Sequence, residues 1–193
     1  VAGRAVEHGL TAVIVERELV GGECSYWACI PSKTLLRPGH VIAAAKRVPG
    51  AAEAITGPID VRAALGQRDV MTSSWDDKGQ LPWLEERHIE LVRGFGRITG
   101  ERAVSVDLRD GGTRDLIARK AVVVATGSSA RIPPIPGLAE ARAWTNREVT
   151  SAKEIPRRFA VLGGGPVGVE MAQAFRRLGS EEVTILQGAE RLL

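Results

Sequence analysis

The chain has few of the residues and segments that mark several common protein classes. Its 193 residues include two cysteines, three histidines and one tyrosine. Apolar runs such as residues 121–125 are far shorter than the roughly 20 residues that span a bilayer, and no charged-then-apolar signal opens the chain. We therefore expect no association with a membrane, and a cytoplasmic location.

The chain also has neither a large excess of one charge nor a cluster of metal-ligating residues. Lys and Arg outnumber Asp and Glu by 26 to 23 without a basic run, which gives little support to a nucleic-acid partner. The histidines are scattered without ligand spacing, so we expect no metal site. The hydrophobic content of 44% is enough for a packed core, and the length predicts one large or two small globular domains.

The two cysteines stand close together, at positions 24 and 29, directly after Gly21 and Gly22. In a chain without secretory features, a close pair favours cycling between dithiol and disulfide over a structural staple. On an ideal helix, residues five apart rise about 7.5 Å and point about 140° apart, which is too far for a disulfide. We therefore expect the segment from Cys24 to Cys29 to bend. Two ordinary buried thiols, a structural disulfide and a metal site are the alternatives.

The residues after the second cysteine predict a helix start. Pro31 is tolerated only in the first turn of a helix, so the helix should begin near Ala28. Amides at that end, together with Lys33 one turn after Cys29, favour a thiolate over a thiol. The sequence thus indicates redox chemistry, with Cys29 as the stable thiolate.

Residues 159–193 predict a βαβ unit with a phosphate-binding loop. An apolar strand leads into Gly163, Gly165 and Gly168, whose spacing permits a tight turn, close approach of backbone amides to a pyrophosphate, and close packing of helix on strand. The face of the following helix consists of Val167, Met171, Ala174, Phe175 and Leu178, and Gly179 ends it. A glycine-rich turn without a ligand is the alternative.

The N-terminus matches the second half of the same unit. Residues 1–16 predict a helix, then Gly9, an apolar strand and Glu16 at its end. The corresponding first phosphate loop would precede Val1, so we expect both ends to be cut. Glu16 stands where such units place an acid on an adenosine ribose, with a solvated strand-end charge as the alternative. The neutral Gln187 takes the equivalent downstream position.

The middle of the chain predicts helices and then a meander. Helical segments are expected around Ser32–Arg47 and Val61–Glu86, strands at 88–94, 102–108, 112–118 and 121–125, and a turn at Gly111 and Gly112. Residues 126–137 are a Pro- and Gly-rich connector and the best candidate for a domain boundary.

Several of these segments resemble one family in their order along the chain. Residues 21–33, GGECSYWACIPSK, resemble the redox-active signature of the pyridine nucleotide-disulfide oxidoreductases, FAD enzymes that include dihydrolipoamide dehydrogenase, glutathione reductase and mercuric reductase. Residues 13–24 resemble the family's adenosine-ribose strand and flavin approach. Residues 93–100 resemble its adenine-contacting turn, 122–128 its second flavin-binding stretch, and 162–170 its nicotinamide-domain phosphate loop.

The resemblance implies an α/β fold with two Rossmann-like domains. Residues 1–148 would form the FAD-binding domain, a three-layer arrangement of a parallel sheet with a small antiparallel β-meander, without its first strand, first GxGxxG loop and C-terminal return segment. Residues 149–193 would begin the NAD(P)-binding domain as a βαβ unit. The parent protein would be a homodimer, joined through a domain absent from this chain.

The resemblance also implies an electron path from NAD(P)H through FAD to a Cys24–Cys29 disulfide and then to a small disulfide or dithiol substrate, within cell redox homeostasis. Cys24 would attack the acceptor, Cys29 would be the thiolate held against the flavin, and Lys33 would lie near the flavin, paired with Glu170. The implied FAD-binding residues are Glu16, Gly21, Gly22, Cys24, Cys29, Lys33, Gly96, Thr126, Gly127 and Ser128. The implied NAD or NADP residues are Gly163, Gly165, Gly168, Glu170 and Gln187.

Other interpretations of these residues stay open. Glu170 is also a carboxylate favoured at a helix start, and Gly96 and residues 126–128 are also ordinary turn residues. Tyr26 and Ala28 stand where many members carry Asn and Gly, which leaves the acceptor open. The unusual Tyr26 and Trp27 beside the thiols make a quinone, a metal ion or another acceptor an alternative to a disulfide. Gln187 replaces the acid of NAD-preferring relatives, which leaves NAD and NADP both possible. A third alternative is an inactive truncated piece that acts at most as a nucleotide-binding module.

Overall fold

The computed structural model describes residues 1–192. Its helices are α1 Ala2–Glu7, α2 Gly22–Tyr26, α3 Cys29–Ala45, α4 Val61–Met71, α5 Leu81–Glu86, α6 Asn146–Ser151 and α7 Pro166–Leu178. Its strands are β1 Val13–Glu16, β2 Glu90–Gly100, β3 Ala103–Leu108, β4 Thr113–Ile117, β5 Arg158–Leu162 and β6 Glu182–Leu186. Short 3₁₀ turns at Ser73–Trp75 and Lys78–Gln80 lie between α4 and α5.

The chain forms two compact units. The first comprises Val1–Gly22 and Trp75–Ser128, and the second comprises Glu23–Ser74 and the described residues from Ser129 onward. These units group the start of the second predicted domain with the helices that follow the cysteines. The boundary between residues 148 and 149 that the sequence predicts for the two domains stays a prediction.

The first unit is built on a four-stranded sheet in the order β1-β2-β3-β4. Strands β1 and β2 are parallel, whereas β2, β3 and β4 pair antiparallel. Gly111 and Gly112, with φ of 100° and 81°, form the turn between β3 and β4. The predicted combination of a parallel pair with an antiparallel meander is confirmed, and strands cover most of 88–94, 102–108 and 112–118.

Strand β2 continues through residues that were expected to form a turn. Gly96 pairs with Val106 inside the antiparallel ladder, so the predicted turn at 93–100 is wrong. A Cβ at Gly94 would collide with the backbone oxygen of Asp107 on β3. A Cβ at Gly96 would lie 3.2 Å from Cγ1 of Val15. The glycines of this segment therefore permit close strand pairing and packing.

The predicted strand at residues 121–125 is absent. These residues have no regular secondary structure, and Val123 and Val124 are 58% and 65% exposed. A β-strand requires a hydrogen-bonded neighbour, and none of residues 1–192 pairs with this segment. Apolar, β-branched composition alone was therefore not enough to make this segment a strand.

The second unit contains the predicted βαβ arrangement. Parallel strands β5 and β6 flank α7, which ends at Gly179 in the left-handed conformation with φ of 119°. The buried core of this unit comprises Leu35, Leu36, Ala64, Leu65, Val149, Ala152, Met171, Ala174, Phe175 and Leu178. The prediction that Val167 belongs to the packed face of α7 is wrong. Val167 lies in the first helical turn, beyond this core, and is 50% exposed.

The predicted helical region Val61–Glu86 is interrupted. Ser73, Ser74 and Trp75 have φ of 51°, 50° and 58°, which a right-handed helix does not allow, so α4 ends at Met71. The longest helix is α3, with 17 residues. No helix in residues 1–192 combines the length and the apolar character needed to cross a bilayer.

Candidate functional site

The two cysteines lie on either side of a helix break in the second unit. Cys24 belongs to the short helix α2, and Cys29 is the first residue of α3. Ala28 between them has φ of −134° and ψ of −103°, which ends one helix before the next begins. Both thiols are reduced and exposed. The expected bend between the cysteines and the helix start near Ala28 are confirmed, and Pro31 lies in the first turn of α3.

The two sulfurs interact, and this raises the pKa of Cys24. A side-chain hydrogen bond with Cys29 is the largest cause, because it favours the protonated form of Cys24, and partial burial and the nearby Cys29 charge act in the same direction. The backbone N–H of Cys29 and the charge of Lys33 lower the pKa but do not outweigh these causes. Cys24 therefore keeps its proton to a higher pH than an ordinary thiol does.

Lys33 links α3, which begins at Cys29, to α7 of the same unit. Its Nζ donates to both carboxylate oxygens of Glu170 on α7, each at 2.7 Å. The pair is partly solvated, with side-chain exposures of 61% for Lys33 and 31% for Glu170. The structure thus brings together two residues that stand 137 positions apart in the chain.

The loop before α7 has the geometry expected of a phosphate-binding loop. Gly163 has a positive φ of 100°, and a Cβ at Gly168 would collide with the backbone oxygen of Gly163 and lie 3.0 Å from Cγ1 of Val161. Gly165 is the N-cap of α7, and nothing lies within 4 Å of the position of its Cβ. The turn at Gly163 and the close packing at Gly168 therefore favour glycine, whereas at Gly165 the absence of a side chain leaves the start of α7 open.

The side chain of Gln187, the residue directly after β6, is hydrogen-bonded to this loop. Its Oε1 accepts a hydrogen bond from the backbone N–H of Gly164 at 2.8 Å, and its Nε2 donates to the backbone oxygen of Arg191 at 3.1 Å. Both ends of the carboxamide are thus engaged with the protein. Its predicted contact with a nicotinamide nucleotide stays a prediction.

The first unit contains the predicted ribose acid and the glycine pair. Glu16 ends β1, half-buried, and its Oε1 accepts from the backbone N–H of Glu18 at 2.7 Å. Gly21 and Gly22 have φ of 124° and 67°, conformations that favour glycine. The chain can therefore turn sharply immediately before the cysteine segment.

The remaining predicted flavin residues of this unit lie on exposed backbone. Thr126, Gly127 and Ser128 follow the irregular segment 121–125, and Gly127 has φ of 69° with open space at its Cβ position. Gly96 lies in β2, where packing against Val15 already accounts for a glycine. Contacts of these four residues with FAD stay predictions.

Comparison with known proteins identifies the family. Residues 1–193 match the family described as pyridine nucleotide-disulphide oxidoreductase over their whole length. The chain belongs to this family. Its members use FAD and NAD(P)H, so the family predicted from the motifs and its cofactors are confirmed.

Similar curated proteins are oxidoreductases of this family. The chain is 33% identical over 191 residues to a mercuric reductase of Lysinibacillus sphaericus, covering 98% of this chain and 34% of that protein. It is 37% identical over 194 residues to a dihydrolipoyl dehydrogenase of Chlorobaculum tepidum, covering 98% of this chain and 40% of that protein. The chain thus spans between a third and two fifths of these relatives' length.

A solved structure supports the fold. The HOCl-induced flavoprotein disulfide reductase RclA from Escherichia coli superimposes with a TM-score of 0.79 at 24% identity. The match covers 100% of this chain and 40% of that one. This likeness confirms the α/β, Rossmann-like architecture of a disulfide oxidoreductase.

The residues of this family member fit its two cofactors. Open space over Gly165 at the start of α7 fits a pyrophosphate approaching backbone amides. The left-handed, open backbone at Gly127 fits close approach of a second nucleotide. In residues 1–192, by contrast, no group of three or more His, Cys, Asp or Glu side chains could hold a metal ion.

Sequence reasoning missed Asp77, which fixes the approach to the glycine pair. Its Oδ2 accepts from the backbone N–H of Val20 and from Arg93, each at 2.7 Å. Burial would raise the pKa of Asp77, but the hydrogen bonds from Arg93 and Val20 and the charge of Arg93 lower it below its ordinary value. Asp77 stands 57 residues from Val20, so no local motif indicates this contact.

A second missed group lies on α6, in the unit that carries the thiols. Asn146 and Arg147 contact Glu23, the residue directly before Cys24, and Asn146 also contacts the backbone oxygen of Trp27. A helix start at Asn146 is readable from the capping residues Thr145 and Glu148. The contact with the cysteine segment is not, because 124 positions separate Arg147 from Glu23.

Proposed function

We propose that the protein carrying this chain is an FAD-dependent NAD(P)H oxidoreductase in which Cys24 and Cys29 exchange electrons with a small disulfide or dithiol substrate. The observation that carries the proposal is the interacting pair of exposed thiols across the helix break at Ala28. Two neighbouring reactive sulfurs are what disulfide exchange through a mixed disulfide requires.

The proposed thiol–disulfide exchange proceeds in two steps. The thiolate of Cys24 attacks one sulfur of the acceptor disulfide, so that a bond to Cys24 forms and the first acceptor thiol leaves. The thiolate of Cys29 then attacks the sulfur of Cys24, closing the Cys24–Cys29 disulfide and releasing the second acceptor thiol. Two electrons and two protons pass from the cysteines to the acceptor. FAD, when bound, supplies the carrier that returns two electrons from NAD(P)H to the pair.

The chain's own residues hold the nucleotides and the thiols in place. Gly163, Gly165 and Gly168 would hold the pyrophosphate of NAD(P)H at the start of α7, with Gln187 bracing the loop. Glu16 would bind the adenosine ribose of FAD, and Gly21, Gly22, Gly96 and residues 126–128 would let backbone approach that cofactor. Lys33 would stabilise negative charge near the flavin and is oriented by Glu170 at 2.7 Å.

A quinone or another non-thiol acceptor is less well supported. That alternative depended on Tyr26 and Trp27 as unusual residues beside the thiols. Tyr26 is 2% exposed, and the Trp27 ring is stacked against the guanidinium of Arg147 at 4.1 Å, so both aromatic side chains are engaged in packing. A cytoplasmic location, a homodimeric assembly and a part in cell redox homeostasis belong to the same proposal, by analogy with the family.

The experiment is a comparison of acceptors with the full-length protein loaded with FAD. We expect NAD(P)H-dependent reduction of lipoamide or another small disulfide, abolished in Cys24→Ser and in Cys29→Ser. Glutathione disulfide and menadione serve as further acceptors in the same assay. Quinone turnover retained in full by Cys24→Ser, with no disulfide turnover by the wild type, would favour the other acceptor class. Size-exclusion chromatography with light scattering tests the dimer.

A further inference from the structure

The cysteine segment is held from one side by helix α6. This short helix has a capping box at its start, where Thr145 and Glu148 bond each other's backbone and side chain. At its other end the fully buried guanidinium of Arg68 donates to the backbone oxygens of Thr150 at 2.5 Å and Ala152 at 2.9 Å. Both ends of α6 are therefore fixed, and the helix can act as a rigid support.

Two side chains of α6 engage both carboxylate oxygens of Glu23. Arg147 donates from Nε at 2.9 Å and also from Nη2 to Oε1, and Asn146 donates from Nδ2 to Oε2 at 3.1 Å. Arg147 holds one carboxylate oxygen through two charge-assisted hydrogen bonds while Asn146 holds the other, so the two residues together fix the orientation of the carboxylate. The residue directly before Cys24 is thus held in one position.

The same helix holds the residue three positions after Cys24. The backbone oxygen of Trp27 accepts from Asn146 Nδ2 at 3.0 Å and from the Thr150 hydroxyl at 3.3 Å. The Trp27 ring lies 4.1 Å from Cζ of Arg147, within the range of a cation–π contact. Cys24 therefore stands between two residues that α6 fixes.

We infer that Arg147 is a positioning residue for Cys24: it fixes Glu23 and Trp27 on either side of the thiol and neutralises the carboxylate that adjoins it. The inference rests on the proposed function, because positioning matters only if Cys24 reacts. Arg147 acts by holding Glu23 and Trp27 in place and by cancelling the charge of Glu23, so the intact pair presents little net charge to the sulfur. The charged and titratable groups that act on Cys24 itself are Cys29 and Lys33.

Opposite effects are expected from removing the two members of the ion pair. Arg147→Gln leaves the Glu23 carboxylate uncompensated beside Cys24, which disfavours the thiolate. Glu23→Gln leaves the Arg147 charge uncompensated, which favours the thiolate. The double variant removes both charges, so its thiol should behave nearly as in the wild type. Arg147→Lys keeps the charge but lacks the planar guanidinium. Its Cys24 should therefore react at a rate between those of Arg147→Gln and the wild type.

The test is the rate of Cys24 alkylation by iodoacetamide between pH 6 and pH 10 in the reduced full-length protein, with Cys24 quantified by peptide mass spectrometry. At pH 7.5 we expect Arg147→Gln to slow the reaction about three- to tenfold, which corresponds to about half a pKa unit to one unit, and Glu23→Gln to speed it. The control Arg158→Gln breaks the exposed Arg158–Glu182 pair and should change nothing.

Two results would overturn the inference: unchanged alkylation in both single variants, or a shift in the same direction in both. Should Arg147→Gln fail to fold, Glu23→Gln and Arg147→Lys still decide the question. Alkylation needs no turnover, so a protein that reduces no disulfide but shows the opposite shifts would contradict the proposed function and leave the positioning role standing.

Discussion

The ammonium nitrogen of Lys33 lies 2.7 Å from each carboxylate oxygen of Glu170. Because the pair is partly solvated, with the Lys33 side chain 61% exposed, Glu170→Gln should change the free energy of unfolding by less than about 1 kcal/mol. If Lys33 stabilises charge near the flavin, the same variant should slow flavin reduction by NAD(P)H about tenfold, or about 1.4 kcal/mol in the barrier. Stopped-flow absorbance and thermal denaturation measure the two effects.

The control for that prediction is Glu182→Gln, which removes the exposed Arg158–Glu182 pair of the same unit. It should leave flavin reduction unchanged. Equal rates of flavin reduction in wild type and Glu170→Gln would show that the carboxylate only stabilises the start of α7.

The glycines of the phosphate loop should respond differently to alanine. At Gly168 the new Cβ would meet the backbone oxygen of Gly163, so Gly168→Ala should lower stability by about 1 to 3 kcal/mol. At Gly165 the Cβ position is open, so Gly165→Ala should keep the melting temperature and weaken NAD(P)H binding. Calorimetric melting and NAD(P)H titration check both variants. A Gly165→Ala protein that binds NAD(P)H as the wild type does would refute the assignment of this loop.

Variants of Cys29 and Lys33 should shift the pKa of Cys24 in opposite directions. Cys29→Ala removes the hydrogen bond and the charge that raise the pKa of Cys24, so its alkylation curve should shift to lower pH. Lys33→Met removes a charge that lowers this pKa, so the curve should shift to higher pH. Peptide mass spectrometry after iodoacetamide treatment gives both curves. Shifts with the reverse signs would contradict the interaction between the sulfurs.

We expect Asp77 to make a pH-dependent contribution to the free energy of unfolding. Its folded pKa is lowered, so the stabilisation is fully present above the unfolded value of about 3.9 and is lost as the pH falls through the folded value. Asp77→Asn should therefore cost about 1 to 3 kcal/mol at neutral pH, with a smaller difference from wild type in acid. Urea denaturation at several pH values measures it. The exposed Asp110→Asn is the control and should show no such dependence.

Short sequence patterns predicted several local features of the fold. The spacing of Gly163, Gly165 and Gly168 predicted the loop, and Pro31 predicted where α3 begins. The signals that failed were those that depend on distant partners. Residues 121–125 have strand-like composition but no neighbouring strand to pair with, and Gly96 lies in a ladder instead of a turn.

The contacts that fix the cysteine segment in the second unit, and those that fix the approach to the glycine pair in the first, could not be predicted from the sequence. Arg147 and Glu23, or Asp77 and Val20, have no periodicity or motif that links them, because their proximity follows from packing of whole elements. The Lys33–Glu170 pair was expected only through resemblance to a family. Its geometry agrees with that expectation, while the roles of both residues stay predictions.

Anaerobic titration of the FAD-loaded full-length protein with NADH and with NADPH measures directly whether Cys24 and Cys29 take up electrons. We expect uptake of four electrons per flavin, two by the flavin and two by Cys24 and Cys29, and uptake of two in Cys29→Ser. The nucleotide that reduces the protein at the lower concentration identifies the preferred cofactor. Uptake of only two electrons by the wild type, unchanged in Cys29→Ser, would remove the thiols from the reaction.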